Sequence, residues 1–145
     1  VDKITVSQNK SQHTFIFMET TITSGIEIIV EPSFLPEHSH PVSGIFVFAY
    51  HIEIKNRNAF PVQLRKRHWV IVSGTGNIEH VYGDGVVGEF PLLGQNESFT
   101  YTSSCQLPTP IGTMEGEYIF ENKLTGKTFE ASIPRFRMEA PVLLN

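Results

Sequence analysis

Three glycines in the run Gly83-Asp84-Gly85-Val86-Val87-Gly88 have the G-x-G-x-x-G spacing. Between a strand and a helix, that spacing lets backbone amides cradle a nucleotide pyrophosphate. Gly83, Gly85 and Gly88 are therefore candidate ligands for a phosphate or other anion. Arg67, in the basic run Arg65-Lys66-Arg67-His68, could join them, because a guanidinium pairs its N–H donors with phosphate oxygens. The next residues weaken the helix such a site needs. In Glu89-Phe90-Pro91 the proline removes an amide donor and steers Phe90 away from helical geometry. The glycines are instead expected at a sharp β corner, where a missing Cβ permits positive φ or close backbone approach. A loop with exposed amides can still hold an anion as a nest.

The other chemistry-bearing residues are sparser. His38-Ser39-His40, beside Glu37, could set two imidazoles on one side of an extended loop. Imidazole suits first-row divalent ions, but two ligands are too few for a closed site, so His38 and His40 are weak metal candidates. His13, His51 and His80 cannot be brought to them by spacing alone. If the basic run lies on a strand, Arg65 and Arg67 project to one face and Lys66 and His68 to the other. A solvated face over a buried Trp69 is expected there, with a phosphate or an acidic partner as the alternative. Cys105, in Ser103-Ser104-Cys105-Gln106, has no recognisable partner motif for activation and is expected as a buried or half-buried thiol. No nucleophile, base and orienting group can be named together, so the protein is expected to be no enzyme and to need no cofactor.

These residues must be positioned by strands. Phe46, Phe48, Tyr50, Ile52 and Ile54 share one face of a period-2 run from Ile45 to Asn56, with His51, Glu53 and Lys55 on the other. Ile26, Ile28 and Val30 alternate with charged residues, as do Met114, Tyr118 and Phe120 further on. Phe99 and Tyr101 face one way from another strand, and Phe129, Ala131 and Ile133 follow the turn Leu124-Thr125-Gly126-Lys127. The segment Val62–Val72 breaks the alternation near Lys66-Arg67, since Leu64 and Trp69 are an odd number apart; a β-bulge would restore the register. Ser73-Gly74-Thr75-Gly76-Asn77 is a turn cluster leading into a short strand, Ile78–Tyr82. Arg135 to Asn145 reads as a tail lying along an edge. No 3.6-residue apolar stripe runs for a dozen residues, and seven or more short strands argue for an all-β sandwich.

Length and charge bound the rest. The chain of 145 residues fits one domain, since domains commonly hold about 100–150 residues. Residues 18–145 are expected to form it. Residues 1–17 read as an N-terminal extension, an artefact of expression or of the chosen start site or a remnant of a longer protein, able to add a strand through Ile4 and Val6 or Phe15 and Phe17. A net charge of −4 supplies no electrostatic reason to bind nucleic acid or an anionic membrane. No apolar run approaches the ~20 residues of a membrane span. The single cysteine suits a reducing compartment, so a cytoplasmic location is expected.

Taken in order, Phe48-Ala49-Tyr50, Val62-Gln63-Leu64 before Arg67-His68-Trp69, Gly83-Asp84-Gly85-Val86-Val87-Gly88-Glu89 with Pro91, Tyr101-Thr102-Ser103, Gly112-Thr113-Met114 with Gly116 and Tyr118, and Ile133-Pro134 with Phe136 resemble the ApaG family. The match runs from about Gly25 to Phe136. Phe90 departs from its usual bacterial pattern, where glutamine follows the glutamate, and the ending Ile133–Met138 is similar to the version at the C-terminus of F-box proteins. The 128-residue stretch from Met18 to Asn145 favours a stand-alone bacterial member. The resemblance implies an immunoglobulin or fibronectin type III-like antiparallel sandwich. It further implies links to cobalt tolerance and magnesium efflux in bacterial relatives, protein recognition in eukaryotic ones, and a pyrophosphate role suggested for the glycines. The leading expectation is a protein–protein interaction module, with homo-oligomers possible through edge strands. The alternatives are a binding protein for a phosphorylated small molecule or nucleotide, and a divalent-metal-responsive protein.

Overall fold

A computed structural model describes residues 3–8 and 15–141, with side chains from Phe17 to Pro141. Alternating apolar residues become ten strands: β1 (Lys3–Gln8), β2 (Phe15–Thr23), β3 (Ile26–Phe34), β4 (Phe46–Asn56), β5 (Val62–Ser73), β6 (Ile78–Asp84), β7 (Leu92–Leu93), β8 (Ser98–Leu107), β9 (Ile111–Asn122) and β10 (Thr128–Glu139). They form two antiparallel sheets. The first runs β1-β2-β3-β4-β8; the second runs β10-β9-β5-β6, with β7 also pairing β5. This is the sandwich that the alternation predicts, because each sheet has one apolar face and can bury it only against the other. Among the described residues no helix is long and apolar enough to cross a membrane.

The first sheet buries Ile26, Ile28 and Val30 of β3 and Phe48, Tyr50, Ile52 and Ile54 of β4, the residues whose spacing marks them. The second opposes them with Leu64, Trp69, Tyr118, Phe120 and Phe136. Tyr50 meets the Trp69 ring edge-on at 5.3 Å, and Trp69 stands at 88° to Phe136. Edge-to-face contacts of this kind add to the burial of area. The Tyr101 and Tyr118 hydroxyls hydrogen-bond to each other in the interior, linking β8 of one sheet to β9 of the other.

Three expectations take definite form. The bulge in β5 lies between Leu64 and Lys66, so Arg65 is the extra residue. It lets Leu64 and Trp69 both face the core. The segment expected as a tail along an edge is, as far as Glu139, the edge strand itself: β10 continues after a register shift between Ile133 and Phe136, Phe136 and Met138 are buried, and residues 142–145 lie outside the described residues. Apolar burial holds it down. Finally, Lys3–Gln8 and Phe15–Phe17 do form strand, extending the first sheet through β1 and the start of β2.

The two open sides of the sandwich differ. On one, Thr21 Oγ1 donates to the Ser132 carbonyl at 2.6 Å and the Ser132 amide donates to Thr23 Oγ1 at 2.8 Å, stitching β2 to β10. The other side lies between the β6 and β8 edges. It is the side on which the glycine motif sits.

Asn56, fully buried, fixes the end of β4. Its Nδ2 donates to the carbonyls of Phe60 and Leu93 at 2.9 and 3.0 Å, and its Oδ1 accepts the Asn58 amide. Replacing it with alanine leaves these groups unpaired out of water. Asn56→Ala should lower the unfolding free energy by about 2–4 kcal/mol, read by urea denaturation; a loss under about 1 kcal/mol would show the network to be incidental.

Candidate functional site

The glycine motif is a strand end followed by a hairpin tip. Gly83 and Asp84 belong to β6, and Gly83 lies opposite Arg67 of β5. The Arg67 guanidinium rests where a Gly83 side chain would stand. Its Nη1 donates to the carbonyls of Asp84 and Gly85 at 2.9 and 2.8 Å. Gly85 adopts φ +61°, and a Cβ there would land on the Glu89 carbonyl oxygen, so only glycine fits. Val86 is buried in the core and closes a tight turn with Glu89: its amide donates to the Glu89 carbonyl at 2.9 Å and the Glu89 amide returns the bond at 2.8 Å. Between them Val87 and Gly88 have φ of 43° and 77°, the pattern of a two-residue hairpin turn with both central residues left-handed.

That geometry decides what the motif has to offer an anion. The amides of Gly85, Val86 and Glu89 are bonded within the fold, the first of them to the Arg65 carbonyl. Arg67, the cation expected beside a phosphate, is engaged with loop carbonyls. No helix follows Gly88; Pro91 leads into β7, and its carbonyl accepts the Leu64 amide. The corner reading of the glycines accounts for each of these contacts.

The basic run does not project as simple alternation requires. The bulge at Arg65 frees it from the ladder, and its guanidinium lies 5.4 Å from the centre of the Phe90 ring. Arg67, with the parity of Trp69, turns toward the interior.

On the outer face of the same strands is a group the spacing alone does not disclose. The His68 ring lies flat against Tyr82, 4.3 Å away and 3° from parallel. Its Nδ1 is 2.7 Å from Glu117 Oε1 and its Nε2 is 2.9 Å from His80 Nδ1. Two neighbours thus hold the imidazole in place as a support for Tyr82, a residue 71% exposed. The signal was present as a hairpin folded about Thr75, which sets His68 opposite Tyr82. Glu117 arrives from β9, and no local rule supplies that pairing.

The remaining candidates stay apart. His38 and His40 are exposed, on and after a short 3-10 turn (Pro36–His38), while Ser39 between them is buried and donates its hydroxyl to the Leu35 carbonyl. His13 lies outside the described residues. Among the described residues no group of three or more His, Cys, Asp or Glu side chains could hold a metal ion. Cys105 is half-buried on β8. Burial, reinforced by Glu79, pushes its thiol up to about 11, so it is no poised nucleophile at neutral pH. Burial likewise raises the hydroxyls of Tyr50, Tyr101 and Tyr118 above the ordinary value of 10. An apolar cavity at one end of the sandwich is lined by Phe34, Pro41, Phe46, Pro110, Ile111 and the β10 terminus; it contains no converging polar groups.

The fold and these surfaces define a fibronectin type III-like antiparallel sandwich with an ordered hairpin at one open side. The chain is similar along most of its length to known proteins of this kind: 50% identical over 119 residues to Protein ApaG of Methylobacterium sp. (strain 4-46), covering 82% of this chain and 91% of that one. It is 44% identical over 128 residues to Protein ApaG of Anaeromyxobacter dehalogenans (strain 2CP-C), covering 88% of this chain and all of the other. The crystal structure of a Bordetella pertussis protein called ApaA superposes with a TM-score of 0.78 at 43% identity, over 81% of this chain and 94% of that one. The ApaG domain model matches residues 36–122, and the chain belongs to the ApaG domain family.

The tyrosines and Cys105 make a testable pH dependence. Each is an acid whose folded pKa is raised, so the folded state keeps a proton that the unfolded state loses first. Their contribution is whole below pH 9, the ordinary thiol value, and falls as pH rises past the ordinary values of 9 and 10. Urea midpoints should therefore be flat from pH 7 to about 8.5 and drop steadily above it. A midpoint that rises through this window would contradict the assignment.

Proposed function

We propose that this protein is a non-catalytic interaction module that grips a protein partner through the free edge of its second sheet, at Tyr82, Val87, Phe90 and Leu92. The observation that carries this reading is Val87. It is 54% exposed at a hairpin tip, with φ 43°, where a β-branched residue is a genuine outlier. The left-handed conformation costs a non-glycine residue about 1–2 kcal/mol, and asparagine before glycine is the relaxed choice for such a turn. An apolar side chain held under strain in water supports a use for that side chain. Tyr82, Phe90 and Leu92 are exposed nearby along the same edge, and a propped tyrosine is a common energetic centre of protein interfaces.

On this reading the protein works in the cytoplasm, and the cobalt and magnesium associations of bacterial relatives are exercised through the partner. A phosphorylated small molecule or nucleotide at Gly83, Gly85 and Gly88 is the second reading. It draws on the Val87 and Gly88 amides, which carry no bond within the fold. A divalent-metal reading rests on His38 and His40, and a Co²⁺ titration unchanged by replacing both would remove it.

Val87→Asn should raise the unfolding free energy by about 1 kcal/mol while lowering recovery of the partner in affinity capture from the native host. Tyr82→Ala should lower recovery at least tenfold with little change in stability. Equal recovery by wild type and both variants would overturn the reading. A nucleotide at 100 times its dissociation constant would add about 2.7 kcal/mol of stability; the interaction reading expects no thermal shift with any nucleotide, and a shift abolished by Arg67→Met would favour the second reading.

A further inference from the structure

A sheet edge is a row of unpaired amides and carbonyls, and proteins normally protect it with charge, proline, a bulge or brevity. In the second sheet both edges are protected in this way. The β10 edge has a register shift at Pro134-Arg135 and the charged residues Glu130, Arg137 and Glu139. The β6 edge is seven residues long, bears Glu79 and Asp84, and ends in the glycine hairpin. The β8 edge of the first sheet has no such device. It runs ten residues, SFTYTSSCQL, without a charge, proline or glycine. Its register with β4 is unbroken from Phe46↔Leu107 to Lys55↔Ser98, so no bulge twists it away. Among the described residues, β4 is its one strand partner. Phe99, Ser103 and Cys105, on the core-facing side, are only partly buried, because no further strand covers them.

We propose that β8 pairs with β8 of a second copy of this chain, antiparallel about a two-fold axis, so that the first sheets of two protomers become one continuous sheet. Such a contact is isologous: each residue meets a fixed partner on an identical strand. With the axis through Thr102, Thr100 faces Ser104 and Ser98 faces Gln106 on the exposed side, while Phe99 faces Cys105 and Tyr101 faces Ser103 on the core side. No two like charges meet in this register, and Glu97, just before the strand, falls opposite Leu107. Cross-strand pairs of hydroxyl residues are favourable, whereas opposed like charges are not. Charge also selects this edge for self-association. The chain carries a net −4, and two copies repel one another least where the meeting strands carry no charge. The strand edge uses none of Tyr82, Val87, Phe90 and Leu92, and its test reads self-association rather than partner capture.

Sedimentation velocity of the intact chain should show reversible association to twice the 16.3 kDa chain mass as concentration rises. The double variant Thr100→Lys, Ser104→Lys places lysines against each other across the axis and should remain monomeric at every concentration, with an unchanged far-ultraviolet spectrum. Should the lysines perturb folding, Thr102→Cys supplies the second measurement, because residue 102 meets itself on the axis and mild oxidation should yield a covalent dimer. A wild-type chain that stays monomeric up to millimolar concentration would overturn the proposal. So would a dimer that survives the lysine substitutions, or absence of the Thr102→Cys cross-link. A monomer that instead takes up a strand from an unrelated extended peptide at β8 would also overturn it and assign the edge to a different occupant.

Discussion

One extra residue in β5 organises most of what distinguishes this sandwich. Without the bulge at Arg65, Leu64 and Trp69 could not both face the interior, since they lie an odd number apart on a strand of period two. With it, Trp69 reaches Tyr50 and Phe136, and Arg67 acquires the inward parity that carries its guanidinium onto Gly83. His68 acquires the outward parity that places it beneath Tyr82. The bulged residue is also used directly: its carbonyl accepts the Gly85 amide. One displaced register step therefore builds the core on one face, the hairpin anchor at the edge and the aromatic prop on the other face.

The hairpin shows how a motif can keep its spacing and change its chemistry. Glycine is needed at Gly85 because the Glu89 carbonyl occupies the place of a side chain, and at Gly83 it leaves room for the Arg67 guanidinium. Both are demands of close packing at a corner. A pyrophosphate cradle places the same demands on glycine but leaves its amides free for the ligand. Here three of them are consumed internally, and Val86 turns inward as a core residue. The loop's order comes from arginine and backbone, and it presents Val87 to solvent from a conformation valine does not favour.

The two sheets divide the surface between them. The second sheet ends in the hairpin and a row of exposed apolar residues, of which Tyr82 lies against His68, itself bonded to Glu117 and His80. The first ends in an uncharged strand with regular ladder geometry. Between the two edges lies the interior hydrogen bond of Tyr101 with Tyr118. This bond couples β8 to β9, so the outer strand of one sheet is held through the core by the other.

Much of the fold was legible in the residue order. Alternation at Phe48, Tyr50, Ile52 and Ile54 depends only on strand geometry, and the slip between Leu64 and Trp69 already requires a bulge. Pro91 already argues against a helix after the glycines. Those features are set by local stereochemistry and by which side chains leave water. The tertiary structure alone decided that Arg67 clamps a loop, that Glu117 orients His68, and that Phe136–Glu139 pair with β9. It also decided that the uncharged strand is an edge. Each of these depends on which distant segments become neighbours. That choice follows from burying both apolar faces at once, a property of the assembled sandwich that no local window contains.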